Sequence, residues 1–252
     1  MPRVNYRDTV TAPPSASGMR AWLSDRPQMP YLIPFFAFVG VMLPSAFGTI
    51  GGINFTKLWL DYLPIVYTVK TLLAAGLLWV FWRYYTPVRW RHLALGAAVG
   101  LFGTILWIAT EYASQRLGLT HQPLDSTLYK PDIMLHEQWQ RWLFLCIRVT
   151  GPILVVPVME ELFFRDFIMR LFVRGARFDD VPVGTFSWLS LLGMSALFAI
   201  NHVQWPAGFL YGLLMGILLI RTKSLGSCIV AHAVTNWTLY LYVIYTGDWQ
   251  FM

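Results

Sequence analysis

Long apolar runs separated by short polar turns fill the chain from residue 31 onwards. A helix needs about 17–25 apolar residues to cross a bilayer's hydrocarbon core of about 30 Å. On that measure the pattern predicts spans at 31–50, 60–82, 93–112, 142–164, 186–203, 207–220 and 227–245. The fourth continues as helix towards residue 172. The sixth is short, and the tight Gln204-Trp205-Pro206 turn before it fits inside the membrane. The predicted fold class is all-α: a polytopic integral membrane helical bundle of about seven transmembrane helices, with about six to eight compatible with the runs.

Composition agrees. The 252 residues are 56% hydrophobic and 13% charged, with a mean hydropathy of +0.52, whereas soluble domains carry about 25% charged residues. Successive spans leave no room for a separate soluble module. The chain therefore divides into a polar, Pro- and Ser-rich N-terminal tail at 1–30 and one membrane-embedded domain at 31–252. The run at 31–50 is too long for a signal-peptide core and is read as a retained span. Twelve Trp and twelve Tyr suit a protein with two membrane interfaces to line. The net charge of +6 does not point to nucleic acid, because the basic residues sit in short loops and form no interleaved basic and aromatic face.

One side collects Arg3, Arg7, Arg20 and Arg26 of the tail with Arg83, Arg89, Arg91, Arg170, Arg174, Arg177, Arg221 and Lys223. The other holds Lys57, Arg116, Lys130 and Arg141. This excess places the N terminus in the cytoplasm, and in a bacterium the membrane is the plasma (inner) membrane. Cys146 and Cys228 fall in apolar runs and are read as packing residues rather than a disulfide. The longest connection, 113–140, carries His121, Asp125, Asp132, His136 and Glu137 at no known metal spacing and reads as a solvated loop.

Polar residues inside the later runs change the picture. Glu160 and Glu161 stand adjacent among Val, Met, Leu and Phe, where each acidic side chain costs roughly 2.5–3.5 kcal/mol at bilayer depth. A chain that keeps both has a use for at least one. On a helix Glu161 and Arg165 share a face, so Arg165 can hold Glu161 ionised through a bidentate bond. Glu160 is turned by about 100° from its neighbour and is left for proton transfer. His202 and His232 add imidazoles on two further helices, and His232 shares a face with Asn236. An imidazole and an amide that converge can donate hydrogen bonds to a developing oxyanion, while Glu160 with His202 can polarise a water. These are the parts for acyl transfer to water. No Ser or Cys has the neighbours of a nucleophile.

Three motifs thus stand in order: Glu160-Glu161-Leu162-Phe163-Phe164-Arg165, Phe198-Ala199-Ile200-Asn201-His202 and His232-Ala233-Val234-Thr235-Asn236. They resemble the E-E-x-x-x-R, F-x-x-x-H and H-x-x-x-[ND] motifs of the CAAX protease and bacteriocin-processing family (CPBP, or Abi). That family includes the Ras-converting CAAX endopeptidases. The resemblance covers about residues 140–245. It implies an intramembrane endopeptidase that cleaves a membrane-associated protein or peptide with glutamate- and histidine-activated water. By the resemblance, Glu160 and His202 activate water, and His232 and Asn236 stabilise the oxyanion. Glu161, Arg165 and Phe198 support them. The implied partners are the substrate and the lipid bilayer, and no cofactor is implied.

Two alternatives stand beside this reading. One is a zinc-dependent membrane metallopeptidase using Glu160, His202 and His232, against which count the missing H-E-x-x-H and the poor ligand Asn236. The other is a non-catalytic immunity or scaffold protein of the same fold. The site residues are expected to converge in one cavity within the membrane, opening towards the basic loops or laterally to lipid. Lys70 and Arg148 are expected to snorkel, and Glu111 to sit at an interface, all outside the site. Phe163, Phe164 and Phe167 are expected to pack in the core or face lipid, a groove for a prenyl or other apolar segment being the alternative.

Overall fold

The computed structural model describes residues 18–41, 49–50, 53–54, 62–120 and 137–251. Among them the chain is helical apart from a two-residue antiparallel ladder between β1 (Thr49–Ile50) and β2 (Ile53–Asn54). Helices α1 (Met19–Ser24) and α2 (Met29–Gly40) come first, then α3 (Leu63–Phe81) and α4 (Leu93–Arg116). A long helical stretch follows: α5 (Gln138–Thr150), a π segment (Gly151–Val155), α6 (Val156–Glu160), a second π segment (Glu161–Ile168) and α7 (Met169–Arg174). Helices α8 (Trp188–Ile200), α9 (Trp205–Thr222) and α10 (Leu225–Thr246) complete the bundle.

Among the described residues, five stretches are long and apolar enough to cross a membrane: Leu63–Tyr84, Leu93–Arg116, Gln138–Asp180, Trp205–Thr222 and Leu225–Thr246. Helices α2 and α8 are apolar but shorter. The polytopic helical bundle stands, with one predicted run altered. The run at 31–50 does not form one helix, because α2 ends at Gly40. Its twelve residues reach only about 18 Å at about 1.5 Å per residue. Apolar content alone does not separate a spanning helix from a short one packed among others. The tail is also more ordered than its composition implies: α1 lies within it, and Leu23 and Pro30 are buried. Residues 1–17 lie outside the described residues.

Polarity is inverted relative to a soluble fold. On α3, Ile65, Leu72 and Trp79 are exposed, while Lys70 and Thr71 are buried. A surface that meets lipid explains both, since apolar side chains then gain by facing out and charges by facing in. The chain is an integral membrane protein.

Lipid gives helices no hydrophobic reason to associate, so close contact and hydrogen bonds must hold them. Helices α4 and α10 meet along Gly96, Gly100 and Gly103. A Cβ on Gly96 would come within 2.5 Å of the Ser227 carbonyl oxygen, and one on Gly100 within 2.5 Å of that of Ala231. Across this contact Thr235 Oγ1 donates to the Gly100 carbonyl at 2.9 Å and Thr104 Oγ1 to the Thr235 carbonyl at 3.3 Å.

At the basic end, Ser224 caps α10 by accepting from the Ser227 N–H at 3.2 Å and donates to the Arg89 carbonyl at 2.7 Å. Lys223 closes α9 in the left-handed region, and its Nζ donates to the Gly184 carbonyl. Arg170, read as a loop charge, is buried. It pairs with Asp166 at 2.6 Å and donates to Thr86 Oγ1 at 2.9 Å. Tyr31 donates to Asp166 at 2.9 Å and stacks on Phe167, while Phe35 stacks on Phe163 at 3.8 Å between centroids. Phe163, Phe164 and Phe167 therefore belong to the core that joins α2 to the second π segment. Cys228 is buried as expected, but Cys146 lies on an exposed face and is not a packing residue. Glu111 is buried near the end of α4, accepting from Gln115 and Thr120. His121, Asp125, Asp132 and His136 lie outside the described residues.

The glycine contact is open to test. Gly100→Leu must push α4 away from α10 and is expected to lower the thermal unfolding midpoint in detergent, with a cost of about 1–3 kcal/mol typical of overpacking. Gly76→Ala, whose Cβ would meet nothing within 4 Å, is expected to leave the midpoint unchanged or raise it. Equal midpoints for the two variants would remove the glycine contact as a determinant of the fold.

Candidate active site

The site is built on a helix that proline interrupts. Proline has no N–H, so Pro152 cannot satisfy the carbonyl of Arg148 one turn back. Tyr240 Oη donates to that carbonyl instead, at 2.9 Å. Pro157 likewise cannot close the π-type bond to the Pro152 carbonyl. Asn236 Nδ2 donates to it at 2.7 Å. Two side chains one turn apart on α10 thus complete the backbone of α5 and the first π segment. This sets the axial register of α10 and with it the height of His232.

Glu160 ends α6 and Glu161 opens the second π segment, and both are buried. His232 lies between them. Its Nδ1 is 2.8 Å from Glu161 Oε1, and its Nε2 is 3.9 Å from Glu160 Oε2. A carboxylate only accepts, so this contact assigns the proton to Nδ1 and, in the neutral ring, leaves the Nε2 lone pair towards Glu160. The expected separation of roles is therefore modified: the step of about 100° per residue does turn the carboxylates apart, but one imidazole spans both. Arg165 Nη1 is 3.2 Å from Glu161 Oε1, a single contact rather than the bidentate bond expected. Its guanidinium lies instead over the Phe198 ring, 4.4 Å from the centroid. That accounts physically for a phenylalanine at 198: it is fully buried, it carries the Arg165 cation on its face, and it packs beside His202.

His202 follows the end of α8. Its Nδ1 meets the Phe198 carbonyl at 2.8 Å, so this nitrogen carries the proton and Nε2 keeps its lone pair. Trp107 of α4 stands against the ring at 5.2 Å between centroids. Trp107 Nε1 donates to Gln204 Oε1 at 2.8 Å, and Gln204 Nε2 to the Gln250 carbonyl at 2.9 Å. The turn that holds His202 is thus tied to α4 and to the 3-10 turn Trp249–Phe251.

His202, His232 and Asn236 line one cavity of about 460 Å³, with Phe198, Trp107 and Tyr211 in its wall. Glu160 stands behind His232, within coulombic range of His202. The structure therefore brings the four predicted residues together, although the Asn236 amide spends one N–H on Pro152. Two expectations are corrected. Lys70 and Arg148 do not snorkel: they are 3% and 5% exposed and line this same cavity. The cavity also lies away from the basic loops. Val203, 79% exposed, and Trp249–Phe251 mark its rim, at the ends of α8 and α10 opposite Arg221 and Lys223. Among the described residues no three His, Cys, Asp or Glu are grouped as metal ligands.

Comparison with curated proteins and with solved structures yields no match. Residues 139–238 match the family model described as type II CAAX prenyl endopeptidase Rce1-like. That segment holds the three motifs and both π segments, and over it the chain is similar to the Rce1-like CAAX protease family.

Proposed function

We propose that this protein is an intramembrane endopeptidase that hydrolyses a peptide bond of a membrane-associated protein or peptide with activated water. The observation that carries the reading is His232, held by Glu161 on one nitrogen and facing Glu160 across 3.9 Å on the other. That gap is too long for a direct hydrogen bond, and a single water with legs of about 2.8 Å bridges it. Glu160 accepts a proton from this water, and the His202 lone pair offers a second acceptor within the cavity. The water oxygen bonds to the scissile carbonyl carbon, and the carbonyl electron pair moves to oxygen. His232 enters this step protonated on both nitrogens and keeps both protons throughout, so its Nε2–H donates to that oxyanion together with the remaining N–H of Asn236. Glu160 then passes its proton to the amine nitrogen as the C–N bond breaks. No protein nucleophile and no resident metal is required.

Orientation belongs to the same proposal. The basic loops put their end of the bundle, and the N terminus with it, in the cytoplasm. The rim at Val203 then faces the opposite side, which in a bacterium is the outer face of the plasma membrane.

Glu160→Gln is expected to lower turnover by at least about 10²-fold, the usual worth of a general base, with the unfolding midpoint retained. Glu161→Gln keeps an oxygen that can accept from His232 and is expected to lose less. Near wild-type turnover of an identified substrate by Glu160→Gln would remove Glu160 as the base.

Treatment with o-phenanthroline is expected to leave the rate unchanged. Loss of activity that returns on adding zinc would replace this mechanism by the metallopeptidase alternative.

In a background free of Cys146 and Cys228, Val203→Cys is expected to react with an impermeant maleimide from the non-cytoplasmic side. Labelling only from the cytoplasmic side would reverse the orientation.

A further inference from the structure

A second cavity, of about 570 Å³, opens at the basic end of the bundle and shares no lining residue with the first. It lies between the loop that joins α3 to α4, the loop that joins α7 to α8 and the turn from α9 to α10. These pieces are fastened to one another. Ser224 Oγ donates to the Arg91 carbonyl at 2.9 Å as well as to that of Arg89. Lys223 Nζ donates to the Gly184 carbonyl, and Arg170 Nη1 to the Val181 carbonyl at 3.4 Å. The charges at the mouth therefore stand on backbone that is fixed before a ligand arrives.

Arg170 is buried in the wall, and Asp166 already neutralises it. Four exposed charges remain around the pocket: Arg89, Lys223, Asp179 and Asp180. Arg89 and Lys223 are brought near each other, because the Arg89 carbonyl accepts from Ser224, the next residue after Lys223. Asp180 reaches Arg174 only at 4.0 Å, and both are half-exposed. Among the described residues no carboxylate comes within ion-pair distance of Arg89 or Lys223, and no cation within that distance of Asp179.

The pocket stands at the level of a membrane surface. Trp90, Phe186 and Trp188, in or next to the same loops, are exposed, as aromatic residues are at the junction of lipid and water. Leu189 and Leu192 follow on α8 and are exposed as well, an apolar face for acyl chains. A ligand here that satisfies charges of both signs brings one of each. A headgroup that is only anionic meets the two carboxylates, and a free amine meets Arg89 and Lys223. A guanidinium fork and an ammonium suit a phosphate, and basic pockets between helices at a membrane surface hold lipid headgroups.

We propose that this pocket binds the headgroup of an amine-bearing phospholipid, its phosphate on Arg89 and Lys223 and its ammonium on Asp179 and Asp180. The lipid joins the three loops at a site separate from the histidine cavity, and its binding requires no peptidase activity.

The test counts bound lipid. Delipidated full-chain protein in mild detergent is mixed with equal amounts of phosphatidylethanolamine, phosphatidylglycerol and phosphatidylcholine of one acyl composition, and the adducts are read by native mass spectrometry. Wild type is expected to hold phosphatidylethanolamine about fivefold more often than either of the others, the worth of one interfacial charge. Arg89→Gln and Lys223→Gln are each expected to shrink that preference to within about twofold. Asp179→Asn with Asp180→Asn is expected to reverse the order, phosphatidylglycerol overtaking. Arg83→Gln, at the same end but outside the pocket, is expected to keep the wild-type preference.

No preference in wild type, or a preference for phosphatidylglycerol or phosphatidylcholine, overturns the proposal. So does a phosphatidylethanolamine preference that either Gln variant or the Asn pair keeps. Loss of the preference in Arg83→Gln would assign it to the charge of the whole surface, and displacement of the lipid by inorganic phosphate would assign the pocket to a soluble phosphate. Either result also overturns it. If one Gln variant fails to fold, the other and the Asn pair still decide.

Discussion

Inside a bilayer no water is at hand to satisfy a backbone carbonyl that loses its partner. Pro152 and Pro157 create two such carbonyls in the helix that carries the glutamate pair. Tyr240 and Asn236 answer them from α10. The position of α10 along its neighbour is therefore dictated by hydrogen bonds that cannot be left unmade. His232 lies on the same helix, and its placement between Glu160 and Glu161 follows from that register. The glycine-lined face of α4 holds α10 from its other side. A shift of α10 by one turn would break both carbonyl bonds and the imidazole contacts together.

The second π segment adds a further condition. Every residue from Glu161 to Ile168 is buried, including Glu161, Arg165 and Asp166. A helix buried on all sides has no solvated face to which charges can retreat. Each must find a partner inside: Glu161 has His232 and Arg165, and Asp166 has Tyr31 and Arg170. The first set points towards the cavity and the second ties α2 to the core. The same stretch of chain therefore holds His232 at the cavity on one side and α2 to the core on the other.

Much of this is written in the sequence. Apolar run length identifies the helices, and three polar signatures in order locate the elements that meet. What hydropathy records is how apolar a segment is, not which way each residue turns. Lys70 and Arg148 consequently look like residues that would seek an interface, when their helices turn them inward. Trp107 and Tyr211 disappear among many aromatic residues, and only their packing against His202 and His232 marks them. The run at 31–50 reads as one span because a count of apolar residues passes over Gly40, where α2 ends. The role of Asn236 on a backbone carbonyl depends on two prolines about eighty residues away in sequence, a relation that no local pattern contains.

The shortness of α8 has a consequence for the surrounding lipid. Its thirteen residues measure about 20 Å, against a hydrocarbon core of about 30 Å. A bilayer meeting such a helix thins around it or lets water in beside it. His202 sits just past the end of this helix, on the rim side of the cavity. The thinned collar shortens the distance from the surface to the histidine. Acyl-chain length thereby sets the depth of the histidine: longer lipids stretch the collar and bury it, and shorter ones bring it nearer to water.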